Sequence, residues 1–343
     1  MKRSIIVIAL ACLWLTGCED RQALKTAFDT YLARVANVLD TEPPALTNPP
    51  PLPSLPAQRR LQMGQPRISA GLLDTLKLGE CRLLPLVGEH NSPIGKSQSA
   101  GAVLLYHLRF QQGLQDCRNQ SGDKELQTWL QELEQQKAPL LPGYHWNMMV
   151  AEPEIRAALT PRQRPVADDH RGFQATLNAF SLFASLHQQA GGTPQLDRLD
   201  STAFNNRLGG LYNNDYLGEL YYSLHSAAHY LKQSIGFLGR LEQFDCGPAG
   251  KADAERLRNA MEHYYIQDIQ ARLGELDRHF VRLAPLLKQS LTPPPERHDI
   301  MAEYRQWYAS GLNSQIYTRY RQLTLDHASA WQKFLRRCNL SPG

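Results

Sequence analysis

The sequence has 343 residues, 42% of them hydrophobic and 20% charged, which is the balance of a folded globular chain and excludes a disordered one. Its formal charge of +4 falls to +2 once Lys2 and Arg3 are removed with a leader, so there is no basis for expecting a nucleic-acid partner.

The first residues read as an export signal. Lys2 and Arg3 form a positive start, and residues 5–15 form an apolar run too short to span a bilayer comfortably. Leu15-Thr16-Gly17-Cys18 then resembles the lipobox of bacterial lipoproteins. That resemblance implies that residues 1–17 are a signal peptide, cut before Cys18, and that the Cys18 thiol carries the lipid. The alternative is an ordinary cleaved signal beside a chance cysteine. Two or more acyl chains suffice for stable anchoring, so the expected partner is a membrane, reached through lipid, in the bacterial cell envelope facing the periplasm. Glu19-Asp20 is similar to acidic signals that retain lipoproteins in the inner membrane, where the usual residue beside the cysteine is Asp. Inner versus outer membrane stays open, with a lean to the inner. No second long apolar run follows Cys18, so nothing after it is expected to span.

Residues 18–57 are expected to hold the anchor, an amphipathic helix and a connector. Leu24, Phe28, Leu32, Val35 and Leu39 recur at three or four residues, one apolar stripe over residues 20–40 that should dock on the body. Residues 41–57 are proline-rich. Proline lacks the amide donor and fixes φ, so this stretch reads as an extended spacer wrapping the body.

Residues 58–165 read as a proline-broken helical half, with a short strand possible near Arg60–Gln62. Leu72, Leu73 and Leu76 carry an apolar pattern, Pro85 limits helix, and residues 88–96 are rich in turn formers. Helices are expected from about Ser99 to Cys117 and from Lys124 to Lys137. Residues 166–343 read as a bundle of long antiparallel helices. Phe173 to Ala184 form one, closed by Gly191-Gly192; Leu217 to Leu241 form a second; Leu257 to Leu287 form a third that Pro285 should kink or end. Ile300 to Phe334 supply the last. The fold class is all-α, and the break near 160–170 need not separate independent domains.

Besides Cys18, the mature chain keeps Cys81, Cys117, Cys246 and Cys338. An even set in an oxidising compartment suggests two disulfides, and four cysteines allow three pairings. The chain layout favours Cys81 with Cys117 and Cys246 with Cys338. Free or metal-bound thiols are the alternative, though none of the four has C-x-x-C spacing.

Familiar chemistry is hard to find. Gly95-Lys96-Ser97 ends like a phosphate loop, but His90 stands where the first glycine belongs, so no nucleotide is expected. There is no G-x-S-x-G elbow and no H-E-x-x-H pair. His225 and His229 sit four apart on a helix and are the best metal candidates, but no third ligand can be named; a hydrogen-bonded Tyr/His layer between helices is the favoured reading. Asp168-Asp169-His170 reads as a helix N-terminal cap region. The tyrosines from Tyr212 to Tyr230 and from Tyr264 to Tyr320 either line a groove or bridge core and surface. No cofactor is called for.

With these residues in view, the chain resembles a proteobacterial lipoprotein family of unknown function (domain of unknown function 3080). The resemblance rests on the box ending at Cys18, on Leu78-Gly79-Glu80-Cys81-Arg82-Leu83, on His90-Asn91-Ser92-Pro93-Ile94-Gly95-Lys96 and on Cys338-Asn339-Leu340-Ser341-Pro342. Family members usually carry a basic residue and Asn-Ser-Ser-Leu-Gly in the second segment; His90, Pro93 and Ile94 depart from that. The resemblance implies a lipid anchor and a helical body, and brings no catalytic residue. The expectation is therefore a lipid-anchored, non-enzymatic scaffold that contacts another envelope protein. The alternatives are a small-ligand or metal-binding lipoprotein, and a hydrolase or transferase with an unrecognised site. Converging charged groups in a cavity would favour an enzyme, and an exposed apolar or tyrosine-rich groove a binder.

Overall fold

Leu24, Phe28, Leu32 and Val35 form the buried face of α1 (Ala23–Val38) in the computed structural model of the protein, which describes residues 23–66, 77–81, 83–194 and 201–341. The expected signal peptide and Cys18 lie outside the described residues, as do Leu72, Leu73 and Leu76. Among the described residues the structure is helical and irregular, with no strand, and no helix is long and apolar enough to cross a membrane.

After α1 the proline-rich stretch runs extended along the body. Leu46 is buried, and Leu52 and Leu55 pack against the core. Proline removes donors but leaves every carbonyl, and the body supplies partners for them. Tyr308 Oη donates to the Pro53 carbonyl at 2.8 Å and an Arg156 guanidinium nitrogen to that of Pro56 at 3.0 Å. The stretch ends in a single turn, α2 (Gln58–Leu61), where a short strand was possible from sequence. The Gln62 amide closes that turn on the Gln58 carbonyl at 2.9 Å, while the Leu61 carbonyl accepts from buried Trp146 at 2.8 Å, so no strand partner is needed.

Helix α3 (Leu84–Asn91) corrects the reading that Pro85 limits helix here. Pro85 falls in the first turn, where its missing amide costs nothing, and the helix runs through Gly88. Ser99 caps α4 (Ala100–Gln120) and Asp123 caps α5 (Lys124–Lys137) through their side-chain oxygens. The far half of α4 and α5 enclose a small separate cluster of Leu78, Leu83, Phe110, Leu114, Leu126, Leu130 and Leu133. The near half of α4 joins the main core, as do α6 (Leu141–Ala151) and α7 (Pro153–Leu159) through Trp146, Met149, Ile155 and Leu159. The core is thus continuous across residues 160–170.

The second half contains α8 (Phe173–Gly191), α9 (Ser201–Gly209), α10 (Tyr216–Leu238), α11 (Lys251–Ala260), α12 (Ala271–Ser290), α13 (His298–Tyr304) and α14 (Gln315–Arg337). A π-helical segment, Met261–Gln270, joins α11 to α12, and a shorter one, Arg305–Ala309, follows α13. The core residues explain the longer one. Leu257, Met261, Tyr265, Ile269 and Leu273 are all buried and step by four. At about 3.6 residues per turn each such step would turn the stripe roughly 40° away from the core, and wider turns hold it in place. Pro285 lies inside α12 without ending it. It and Val281 face outward, so the carbonyl left without a donor meets water.

The helices are not all antiparallel. Tyr317 stacks on Phe280 and His327 on Tyr265, so α14 runs against α12 and the π segment. Against α10 it runs parallel: Tyr308, just before α14, stacks on Tyr221 near the start of α10, and Arg337 at the end of α14 donates to the Leu241 and Phe244 carbonyls just past the end of α10. Parallel neighbours need a long return connection, and α11, α12 and α13 together provide it. Cys246 and Cys338 bond across those adjacent ends with Cα atoms 4.9 Å apart, and Cys81 and Cys117 bond at 5.1 Å beside the small cluster. These are the two pairings the chain layout favours.

Candidate binding cleft

Residues 160–172 cross the start of α10 at close range. The Arg162 amide donates to the Gly218 carbonyl at 3.1 Å, and the Val166 amide to Ser223 Oγ at 2.9 Å. A Cβ at position 218 would lie 2.3 Å from the Thr160 carbonyl oxygen, so only glycine allows this approach. The crossing segment, the first turns of α1, the start of α10, the π segment and the start of α12 together wall a cleft of about 910 Å³.

Its wall is rich in charge. Arg164 bonds Asp215 at 2.8 Å and Glu219 at 2.5 Å, and Arg162 bonds Asp215 at 2.5 Å. Arg272 pairs with Asp168, and His170 Nε2 with Glu275 at 2.7 Å. Tyr264, Gln267 and Asp268 come from the π segment; Ala23, Thr26, Ala27 and Thr30 come from α1. On helix spacing, positions 264, 267, 268, 271, 272 and 275 form one continuous face toward the cleft.

Behind His170, the His279 ring stacks on Phe173 at 3.7 Å, and Tyr216 Oη and His279 Nδ1 share a hydrogen bond at 2.5 Å. Burial, and then the neighbouring His170, push the His279 pKa down to about 4 against the pull of Glu275. Burial also raises that of Tyr216, with Glu275 and Glu219 adding to the rise. The pair is therefore a neutral hydrogen bond that supports the wall.

Asp168-Asp169-His170 does not cap the following helix. The N-cap of α8 is Gly172, at φ 94°, and all three residues line the cleft instead. The sequence reading missed this site because its parts lie about 25, 165, 220 and 270 residues along the chain, and no local motif links them.

His225 and His229 lie elsewhere, against the proline stretch. His225 Nε2 is 2.9 Å from the Pro50 carbonyl oxygen, and His229 Nε2 is 2.9 Å from Thr47 Oγ1. Among the described residues, no group of three or more His, Cys, Asp or Glu is placed to hold a metal ion. Most of the tyrosines bridge helices: Tyr216, Tyr221, Tyr230, Tyr265, Tyr304, Tyr308, Tyr317 and Tyr320 are buried, and only Tyr264 lines the cleft.

Residues 28–342 match the model of a family described as protein of unknown function (DUF3080). No curated protein and no solved structure matches the chain.

Proposed function

The chain belongs to this family of unknown function, and from that premise we propose that it is a lipid-anchored envelope protein that holds a small polar ligand in the cleft between α1, α10 and α12. The observation that carries the reading is the cleft itself. About 910 Å³ is within the usual range for small-molecule sites, roughly 300–1,000 Å³. Its wall presents carboxylates, guanidinium groups, hydroxyls and an amide, which suit a hydrophilic occupant. Apart from Asp268, the charged groups of the wall hold one another in pairs, an arrangement suited to binding.

The anchor is the sequence reading of Cys18. Ala23, five residues later, is already part of the cleft wall. Five extended residues span at most about 18 Å, so a lipid on Cys18 would hold the cleft close to the membrane surface.

Native mass spectrometry of protein purified from its own envelope in mild detergent tests the binding role. The expected result is a copurifying small molecule that is lost in Ala271→Trp, which places a large ring in the cleft wall. Identical spectra for both proteins would contradict it. A second reading, an interaction protein with no small ligand, is favoured by the continuous core and its crosslinked helix ends; that reading expects the identical spectra.

A further inference from the structure

The charges of the cleft define what it can hold. Its arginines are engaged: Arg164 by Asp215 and Glu219, and Arg272 by Asp168. An anionic ligand would have to break one of these pairs. On the acidic side, Asp168, Asp169, Glu219, Asp268 and Glu275 line the cleft; Asp169 is held by Arg171, and Glu275 by Arg278 and His170, so within this set the unbalanced negative charge is that of Asp268. Asp268 stands apart within this set. Among the described residues its carboxylate has no ion pair or hydrogen bond, and it is exposed to the cleft from the π segment. The flanking Gln267 adds an amide, and the small side chains Ala23 and Ala27 also line the cleft. Tyr264 also lines the cleft, and its ring carries Arg34 at 5.3 Å from its centroid.

We infer that the ligand carries a primary ammonium group, received by the Asp268 carboxylate. This rests on the cleft being a binding site, as proposed above. Such a group comes from a soluble amine or from the headgroup of an aminophospholipid in the membrane that holds the anchor.

The test uses the lipidated full chain in non-ionic detergent, offered spermidine in one arm and phosphatidylethanolamine doped into the micelles in the other, with complexes read by native mass spectrometry. The inference expects a one-to-one complex in one arm, and that arm identifies the source. Asp268→Asn should weaken the complex by about tenfold or more, the scale of a lost charged hydrogen bond. Asp268→Glu, which keeps the charge, should retain it. Phosphatidylcholine, whose trimethylated nitrogen has no N–H to donate, should bind at least about tenfold more weakly than phosphatidylethanolamine if the lipid arm is positive. The position is exposed, so folding is not at risk. Absence of a complex in both arms, or an affinity unchanged in Asp268→Asn, overturns the inference. Uptake of glycerol phosphate in place of the amines, blocked by Ala271→Trp, overturns the ammonium assignment while leaving the cleft a binding site.

Discussion

His225 Nε2 donates a hydrogen bond to the carbonyl of Pro50 at 2.9 Å, joining residues 175 positions apart and fastening the proline-rich strap to the middle of α10. One turn on, Thr47 bonds both His229 and Gln233. The histidine pair that most resembled a metal site thus has a mechanical task. His225→Ala should cost about 1–2 kcal/mol of stability in urea unfolding and speed proteolysis within residues 41–57. Unchanged unfolding and an unchanged cleavage pattern would contradict this role.

Gly218 permits the crossing that positions Arg162 and Arg164. Gly218→Ala places a methyl group against the Thr160 carbonyl and forces the segment outward. A loss of about 2 kcal/mol or more is expected, with weaker occupancy of the cleft, because Arg164 would leave Asp215 and Glu219. Thermal unfolding and ligand retention measure the two effects. Wild-type behaviour in both would show that the contact relaxes freely.

Burial holds the imidazoles of His107, His145 and His327 at a pKa of about 3, against an ordinary value of 6.5. The unfolded chain therefore takes up protons that the folded one refuses. The stability this represents is fully present above pH 6.5 and is lost as pH falls from there toward 3. Each group contributes up to about 1.4 kcal/mol per pH unit in that window. Urea midpoints at pH 7.5, 6.5 and 5.5 should fall slightly across the first step and about three times as far across the second. Equal midpoints at all three would contradict the neutral buried state.

The Cys246–Cys338 bond closes a loop of 92 residues across the adjacent ends of α10 and α14. In the chain-entropy model such a crosslink contributes up to about 4–5 kcal/mol, and Cys246→Ser should lower stability on that scale. Peptide mapping without reductant should join Cys81 to Cys117 and Cys246 to Cys338. A peptide joining Cys81 to Cys246 would refute the pairing.

The fold was readable where sequence periodicity and burial coincide. The stripe of Leu24, Phe28, Leu32 and Val35, the helices placed from about Ser99 and from Lys124, and the spacing around Phe280 each rest on local pattern. The steps of four from Leu257 to Leu273 also encoded the π segment, since an α-helix cannot keep that stripe on one side; the sequence reading did not use them. Pro85 misled, and Pro285 does not end its helix, because a proline's effect depends on whether its turn is first or its face is wet, and composition does not tell which. Helix direction was not legible either. Nothing local in Tyr216–Leu238 or Gln315–Arg337 says that the two run parallel, which follows from the length of the return through α11 to α13. The cleft stayed hidden for the same reason: Arg164, Asp168, Glu219 and Asp268 meet only through tertiary packing.

The proposed lipid on Cys18 would set the compartment and hold the cleft near a membrane, and the rest of the proposal stands on it. Metabolic labelling with an alkyne fatty acid measures it directly. Wild-type protein should take up the label and fractionate with membranes, and Cys18→Ser should do neither as a mature product. Equal labelling of the variant, or no labelling of the wild type, would contradict the anchored reading.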